Sequence, residues 1–162
     1  MEGRHLFSGS ALAKVGADGA VRLPSFVLAV LARRGAEGQL LFGAHESAPC
    51  LTAFDSARLA DIACDLDRRR LRDEDHGDED GATHAARARR AFGLSEAAPI
   101  GADGRVALPP LLRRRGGIGA RALFVGIGAE VEIWDAEAAR AADDPALRAL
   151  ASFRLTQDEE RD

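Results

Sequence analysis

Apolar and polar positions along the chain fall into two rounds of the same order. In each round a short apolar alternation enters a Gly-Ala-Asp-Gly segment, emerges as a brief alternation ending in Leu-Pro, and gives way to a longer apolar run. An Asp-Gly pair between apolar alternations predicts a tight hairpin, because glycine accepts the positive φ that a strand-matched turn needs. Asp18-Gly19 and Asp103-Gly104 are therefore expected at hairpin tips. The Leu-Pro pairs at 23–24 and 108–109 close the strands, since proline cannot donate to a ladder and suits the first turn of a helix. Short helices are expected at about 25–33 and 110–115, ending toward Gly35 and toward Gly116 and Gly117. The runs 39–42 and 122–127 read as buried strands, and 130–134 as an alternating strand. Asp55 and Asp135 stand where an N-cap acceptor is wanted, ahead of longer helices at about 56–72 and 136–153, the latter breakable at Asp144-Pro145.

The two rounds are copies. Gly16-Ala17-Asp18-Gly19-Ala20-Val21-Arg22-Leu23-Pro24 returns as Gly101-Ala102-Asp103-Gly104-Arg105-Val106-Ala107-Leu108-Pro109, 85 residues later, with seven of nine positions identical. Leu40-Leu41-Phe42-Gly43 answers Leu123-Phe124-Val125-Gly126, and Ala53-Phe54-Asp55 answers Ile133-Trp134-Asp135. Conserved order over three segments makes duplication the natural explanation. At 162 residues the chain holds one compact unit or two small repeats packed face to face. The division expected is a first repeat at 6–72, a charged linker and connecting helix at 73–95, a second repeat at 96–153 and an acidic tail at 154–162. Within the connection, residues 68–81 read as a solvated linker and 82–92 as a helix rich in Ala and Arg.

Charge changes the picture only when it is placed. The formal net charge is -4, but residues 73–80 hold six acids and no base, and residues 158–162 four acids and one Arg. Without these the remainder carries 21 basic against 16 acidic residues, a net of +5, so a phosphate-facing surface is compatible with the sequence. Lys14 is the only lysine. Arginine suits bidentate phosphate and guanine contacts, although its dominance also fits the codon habit of a GC-rich genome.

Several classes of chemistry lack their signatures. There is no Gly-x-Ser-x-Gly elbow and no phosphate-loop Lys, and Gly126-Ile127-Gly128 lacks the third glycine of a dinucleotide fingerprint. No enzymatic activity, cofactor or small-molecule substrate is expected. Cys50 and Cys64 form no ligand pattern with His5, His45, His76 and His84, so no metal is expected and the thiols read as buried or idle. The acids around Asp73 to Asp78 lack the loop length and closing Glu of a calcium site. With no apolar run of about 20 residues and no signal-peptide core after Met1, the expected location is cytoplasmic, without a membrane partner.

The repeated turn followed by Pro, the segment Glu132-Ile133-Trp134-Asp135 and the spacing of the halves resemble the MraZ family, whose repeats are of the SpoVT/AbrB type. Leu6-Phe7-Ser8-Gly9-Ser10-Ala11 fits as an N-terminal strand entering the first hairpin, and the resemblance covers roughly residues 6–153. It implies an α+β fold, an intertwined β-barrel of two swapped-hairpin repeats with peripheral helices. It implies a ring-shaped homo-oligomer, association with the nucleoid, and binding of double-stranded DNA at repeated motifs upstream of the division and cell-wall gene cluster.

The family turn reads approximately Asp-Ala-Lys-Gly-Arg, with its two basic groups placed to reach DNA. Here the matching residues are Gly16, Ala17, Asp18, Gly19 and Ala20 in the first repeat, and Gly101, Ala102, Asp103, Gly104 and Arg105 in the second. Arg105 is the one turn arginine kept. Lys14 and Arg22 lie near the first turn and are the residues placed to compensate, so the expected DNA-contacting set is Arg105, Lys14 and Arg22. The competing reading is an oligomeric interaction protein of the same fold, with Asp-Gly turns that serve only the hairpins.

Overall fold

The structure, a computed structural model, describes residues 5–77 and 81–162. In the first half β1 (Ser10–Lys14) and β2 (Ala20–Arg22) flank the Asp18-Gly19 turn, and α1 (Ser25–Arg33), β3 (Gln39–Ala44), β4 (Leu51–Phe54) and α2 (Ala57–Asp75) follow. α3 (Gly81–Ala88), prolonged by one π-helical turn at Arg89–Gly93, leads to the second half. There β5 (Glu96–Pro99) and β6 (Arg105–Ala107) flank Asp103-Gly104, succeeded by α4 (Pro110–Arg115), β7 (Arg121–Gly126), β8 (Val131–Asp135), α5 (Ala136–Arg140) and α6 (Pro145–Glu159). Helices and antiparallel strands together give the α+β class expected.

Both turns have the chemistry their sequence asks for. Gly19 and Gly104 take φ of +84° and +78°, and the carboxylates of Asp18 and Asp103 accept the amide N–H two residues on, from Ala20 at 3.0 Å and Arg105 at 3.1 Å. Beyond the turns the strands do not run on as local hairpins. β1 pairs with β7, β5 pairs with β3, and β2 pairs with β6, all antiparallel. β2 and β6 have three residues each, and a shared ribbon lets both halves bury their inward side chains together. Paired with each other, they set Val21 against Val106 over one core. The turns themselves interlock, since Gly19 O accepts Leu108 N–H and Gly104 O accepts Leu23 N–H, both at 3.0 Å.

The larger sheet has the order β1-β7-β8-β4-β3-β5. Exchanging the corresponding strands of the two halves returns the same order read from the other end, so the duplicated sequence is matched by a duplicated arrangement. One core draws on both copies: Val21, Leu31, Leu40 and Phe42 pack with Val106, Leu112, Phe124 and Ile133, all buried. A second cluster joins Leu123 and Trp134 to Ala139, Leu147, Ala151 and Leu155, which seats α5 and α6 on the sheet. Among the described residues no helix is long and apolar enough to cross a membrane.

Four local expectations need correction. The N-terminal strand begins at Ser10, not Leu6, because Gly9 at φ +117° interrupts the extension and leaves Phe7 a single bridge to Gly128. Asp55 does not cap α2: its carboxylate is turned onto Arg34 at 3.0 Å, and the N-cap residue Ser56 makes no side-chain cap. Asp135 does cap α5, accepting from Ala138 N–H. Residues 68–75 are helix, not solvated linker. They continue α2, and Arg68 and Arg70 there make i,i+3 pairs with Asp65 and Asp67. Of the supposed linker, residues 78–80 lie outside those described. α6 breaks from α5 before Pro145 as expected, with Asp144 accepting from Ala146 N–H, and runs on to Glu159 through part of the segment read as tail.

Candidate nucleic-acid interface

The interlocked turns carry the three basic residues singled out in the sequence. β1 ends at Lys14, β2 ends at Arg22 and β6 begins at Arg105. Because β2 and β6 run antiparallel, Arg22 and Arg105 are direct cross-strand partners, as are Ala20 and Ala107. Val21 and Val106 point into the core, so the two arginines stand side by side on the outer face. Lys14, Arg22 and Arg105 line one open cleft of about 600 Å³, bounded by β1, the first turn and the start of α1.

Exchange of the halves relates Ala20 to Arg105 and Arg22 to Ala107. The two arginines, one from each copy, therefore do not occupy equivalent places; they are grouped at one end of the ribbon. Sequence spacing alone put Arg22 near the first turn, and only the cross-repeat pairing brings it against Arg105.

Acids moderate this basic group without neutralising it firmly. Asp103 Oδ2 lies 3.5 Å from Arg105 Nε with both side chains more than half exposed. Lys14 Nζ lies 3.7 Å from Asp162, each 71% exposed. Exposed pairs of this kind are worth about 0–1 kcal/mol, so an incoming phosphate can displace them. Among the described residues no carboxylate is within ion-pair distance of Arg22. Directly opposed like charges on a ribbon destabilise it unless a counter-charge sits between them.

A second polar group was not legible in sequence. The β3–β4 loop and β8 bring His45, Cys50 and Glu132 together, with ligand atoms within 4.8 Å of one another. Their hydrogen bonds do not suit a metal. His45 Nδ1 accepts the N–H groups of Ser47 and Ala48 at 3.1 and 3.0 Å, which leaves the ring hydrogen on Nε2. Nε2 then donates to Glu132, 3.2 Å away, instead of offering a lone pair. Glu132 also accepts from Trp134 Nε1 at 3.2 Å. Burial, with Glu132 and Glu130 adding to it, pushes the Cys50 thiol well up from its ordinary range, so it stays protonated. The group locks the β3–β4 loop to β8. Cys64 is exposed on α2.

Comparison with known proteins adds to the geometry. No family model matches the chain. The chain is 28% identical over 139 residues to the transcriptional regulator MraZ of Gluconacetobacter diazotrophicus, covering 83% of this chain and 81% of that protein. It is 29% identical over 156 residues to the transcriptional regulator MraZ of Gluconobacter oxydans, covering 92% of this chain and 89% of that one. Two regulators of one name, each aligned along most of its length, agree with the resemblance read from the residues.

Proposed function

We propose that the protein is a DNA-binding transcriptional regulator whose basic group Arg22, Arg105 and Lys14 meets the phosphate backbone or a base edge. The observation that carries this reading is the direct opposition of Arg22 and Arg105 on the exposed face of the β2–β6 ribbon. An arrangement that repels itself in the free protein is relieved when a phosphate bridges it, and arginine presents the fork that phosphate and guanine accept. The regulatory role follows the two MraZ relatives, whose names describe transcriptional regulators. On the same reading the exchanged strands make the intertwined barrel of a double repeat, and copies of the chain assemble into a ring. The ring acts on repeated motifs ahead of division and cell-wall genes.

Asp18 and Asp103 fit as turn residues that fix the ribbon from within, each spending one carboxylate oxygen on a backbone N–H. Their charge weakens the approach of DNA and leaves Arg22, Arg105 and Lys14 to supply the attraction at this face. Fluorescence anisotropy with a duplex from the DNA upstream of the protein's own coding region, at several salt concentrations, tests the assignment. Arg105→Ala and Arg22→Ala should each weaken binding by about 1–3 kcal/mol if the lost contact is to a base, and should flatten the salt dependence by about one phosphate's worth if it is to the backbone. Asp18→Lys with Ala20→Arg should raise affinity and salt dependence together. Equal, salt-insensitive binding by all of these would leave the oligomeric interaction protein as the better reading.

A further inference from the structure

Away from the basic ribbon, α2 and α3 stand off the sheet and enclose a cavity of about 550 Å³ against β3, β4 and the loop between them. That volume suits a small organic molecule. Its apolar wall is Phe54 and Leu66, both buried, with Ile62 half-buried beside them. The polar wall sets four arginines against the carboxylates of Glu46, Asp65 and Glu130. Arg58, Arg69, Arg87 and Arg90 all line it, from α2, α3 and the π-helical turn.

Three of these guanidiniums already have carboxylate partners. Arg69 holds Glu46 with both terminal nitrogens, Arg87 reaches Asp73 at 2.7 Å, and Arg58 reaches Glu130 at 3.3 Å. Arg90 is different. It donates to the main-chain oxygen of Glu46 at 3.0 Å, and among the described residues no carboxylate is within ion-pair distance of it. Glu46 is lowered from the usual carboxylate value by its bond to Arg69, against some desolvation and with Arg69, Arg90 and Arg87 adding attraction. Glu46 is committed to Arg69 and Asp73 to Arg87, so Arg90 is the lining guanidinium whose hydrogen bond goes to a main-chain oxygen and not to a carboxylate.

We propose that this cavity binds an amphiphilic anion, with a carboxylate, sulfonate or phosphate group at Arg90 and an apolar body against Ile62 and Leu66. A cation beside an apolar wall favours that combination over either a purely polar anion or a neutral apolar molecule. The charged end gains a charge-assisted hydrogen bond from Arg90 at the cavity's open rim, and the body covers hydrocarbon inside it. The site is independent of DNA binding and stands or falls without it.

The test uses the whole chain and 8-anilinonaphthalene-1-sulfonate as the fluorescent probe, with decanoate and decylammonium as competitors. The wild-type protein should give saturable emission that decanoate abolishes and decylammonium does not. Arg90→Gln should weaken the probe by about tenfold or more, the loss expected for one hydrogen bond to a charged group, while Arg90→Lys keeps part of it. Ile62→Trp should fill the apolar end and reduce binding by a similar factor. Phe153→Ser, which removes an exposed ring on α6 far along the chain, controls for probe bound elsewhere and should change nothing. Far-UV circular dichroism confirms that each variant is folded. Undiminished binding in both folded Arg90→Gln and Ile62→Trp, or displacement by decylammonium as readily as by decanoate, overturns the proposal.

Discussion

The two copies of the repeat end in helices of very different standing. In the second copy, α5 and α6 bury Ala136, Ala139, Leu147, Ala151 and Leu155 in a cluster with Leu123 and Trp134. Small alanines let both helices approach the sheet closely, and Asp135 and Asp144 cap them. In the first copy, the 19 residues of α2 bury only Leu66, and α3 buries none. What ties that pair down is charge: Arg69 to Glu46, Arg87 to Asp73, Arg58 to Glu130. A duplicated sheet has therefore been closed once by an apolar layer and once by a laced, open one. The first arrangement is firm; the second leaves a cavity with room for a ligand.

The largest effect should come from the firm side. Leu155 is fully buried, so Leu155→Ala should cost about 2–5 kcal/mol in urea denaturation, the range for truncating a buried leucine. Leu66→Ala, beside an existing cavity, should cost less than half as much, because the neighbours already lack close packing there. Equal losses at the two positions would show that α2 is as much a part of the core as α6.

A smaller difference separates the two aspartates at matching places. Asp55 is buried and bound to Arg34, itself stacked over Phe7 at 4.6 Å. Asp55→Ala strands that half-buried guanidinium, and about 3 kcal/mol of stability should go with it. Asp135→Ala removes a half-buried cap, together with the acceptor of Gly119 N–H at 2.9 Å, and should cost about 1–2 kcal/mol. Thermal or urea midpoints of the two variants measure the gap, and a reversed order would mean that Asp55 acts as a cap in solution.

This pair also shows where sequence reading succeeded and where it stopped. Turn glycines, buried runs, the Pro145 break and the Asp135 cap are local events, set by residues within a few positions of one another, and all were legible. Arg105 follows from the resemblance and Lys14 and Arg22 from proximity to the first turn, and the structure gathers the three in one cleft. The pairing of Arg22 with Arg105 was hidden because it depends on a strand of one copy pairing with a strand of the other. Asp55 had the same sequence context as Asp135 and a different fate, decided by Arg34, 21 positions away. β5, with Glu-Ala-Ala-Pro and no strand propensity of its own, exists because β3 offers it an edge. His45, Cys50 and Glu132 are joined by the same long-range topology.

The smallest expected effect tests the charge lacing itself. Glu46 has a lowered pKa in the folded chain, chiefly through Arg69, so its contribution to stability is complete above the ordinary carboxylate value of 4.5 and is lost as pH falls through the lowered folded value. Its side chain is 57% exposed, so the pair belongs in the range of about 0–1 kcal/mol and should barely move the global unfolding transition. Local opening is the sensitive readout. Amide hydrogen exchange at neutral pH should be faster along α2 in Glu46→Gln than in the wild type, with α6 unchanged. After correction for intrinsic exchange rates, acidification should erode wild-type α2 protection toward that of the variant, because protonating Glu46 does what the substitution does. Added salt at neutral pH should act in the same direction on α2 and leave the apolar seat of α6 intact. Protection that stays equal in α2 of both proteins across this pH range would mean that Leu66 and the helix hydrogen bonds alone hold α2, and the contrast between a laced and a packed attachment would have to be given up.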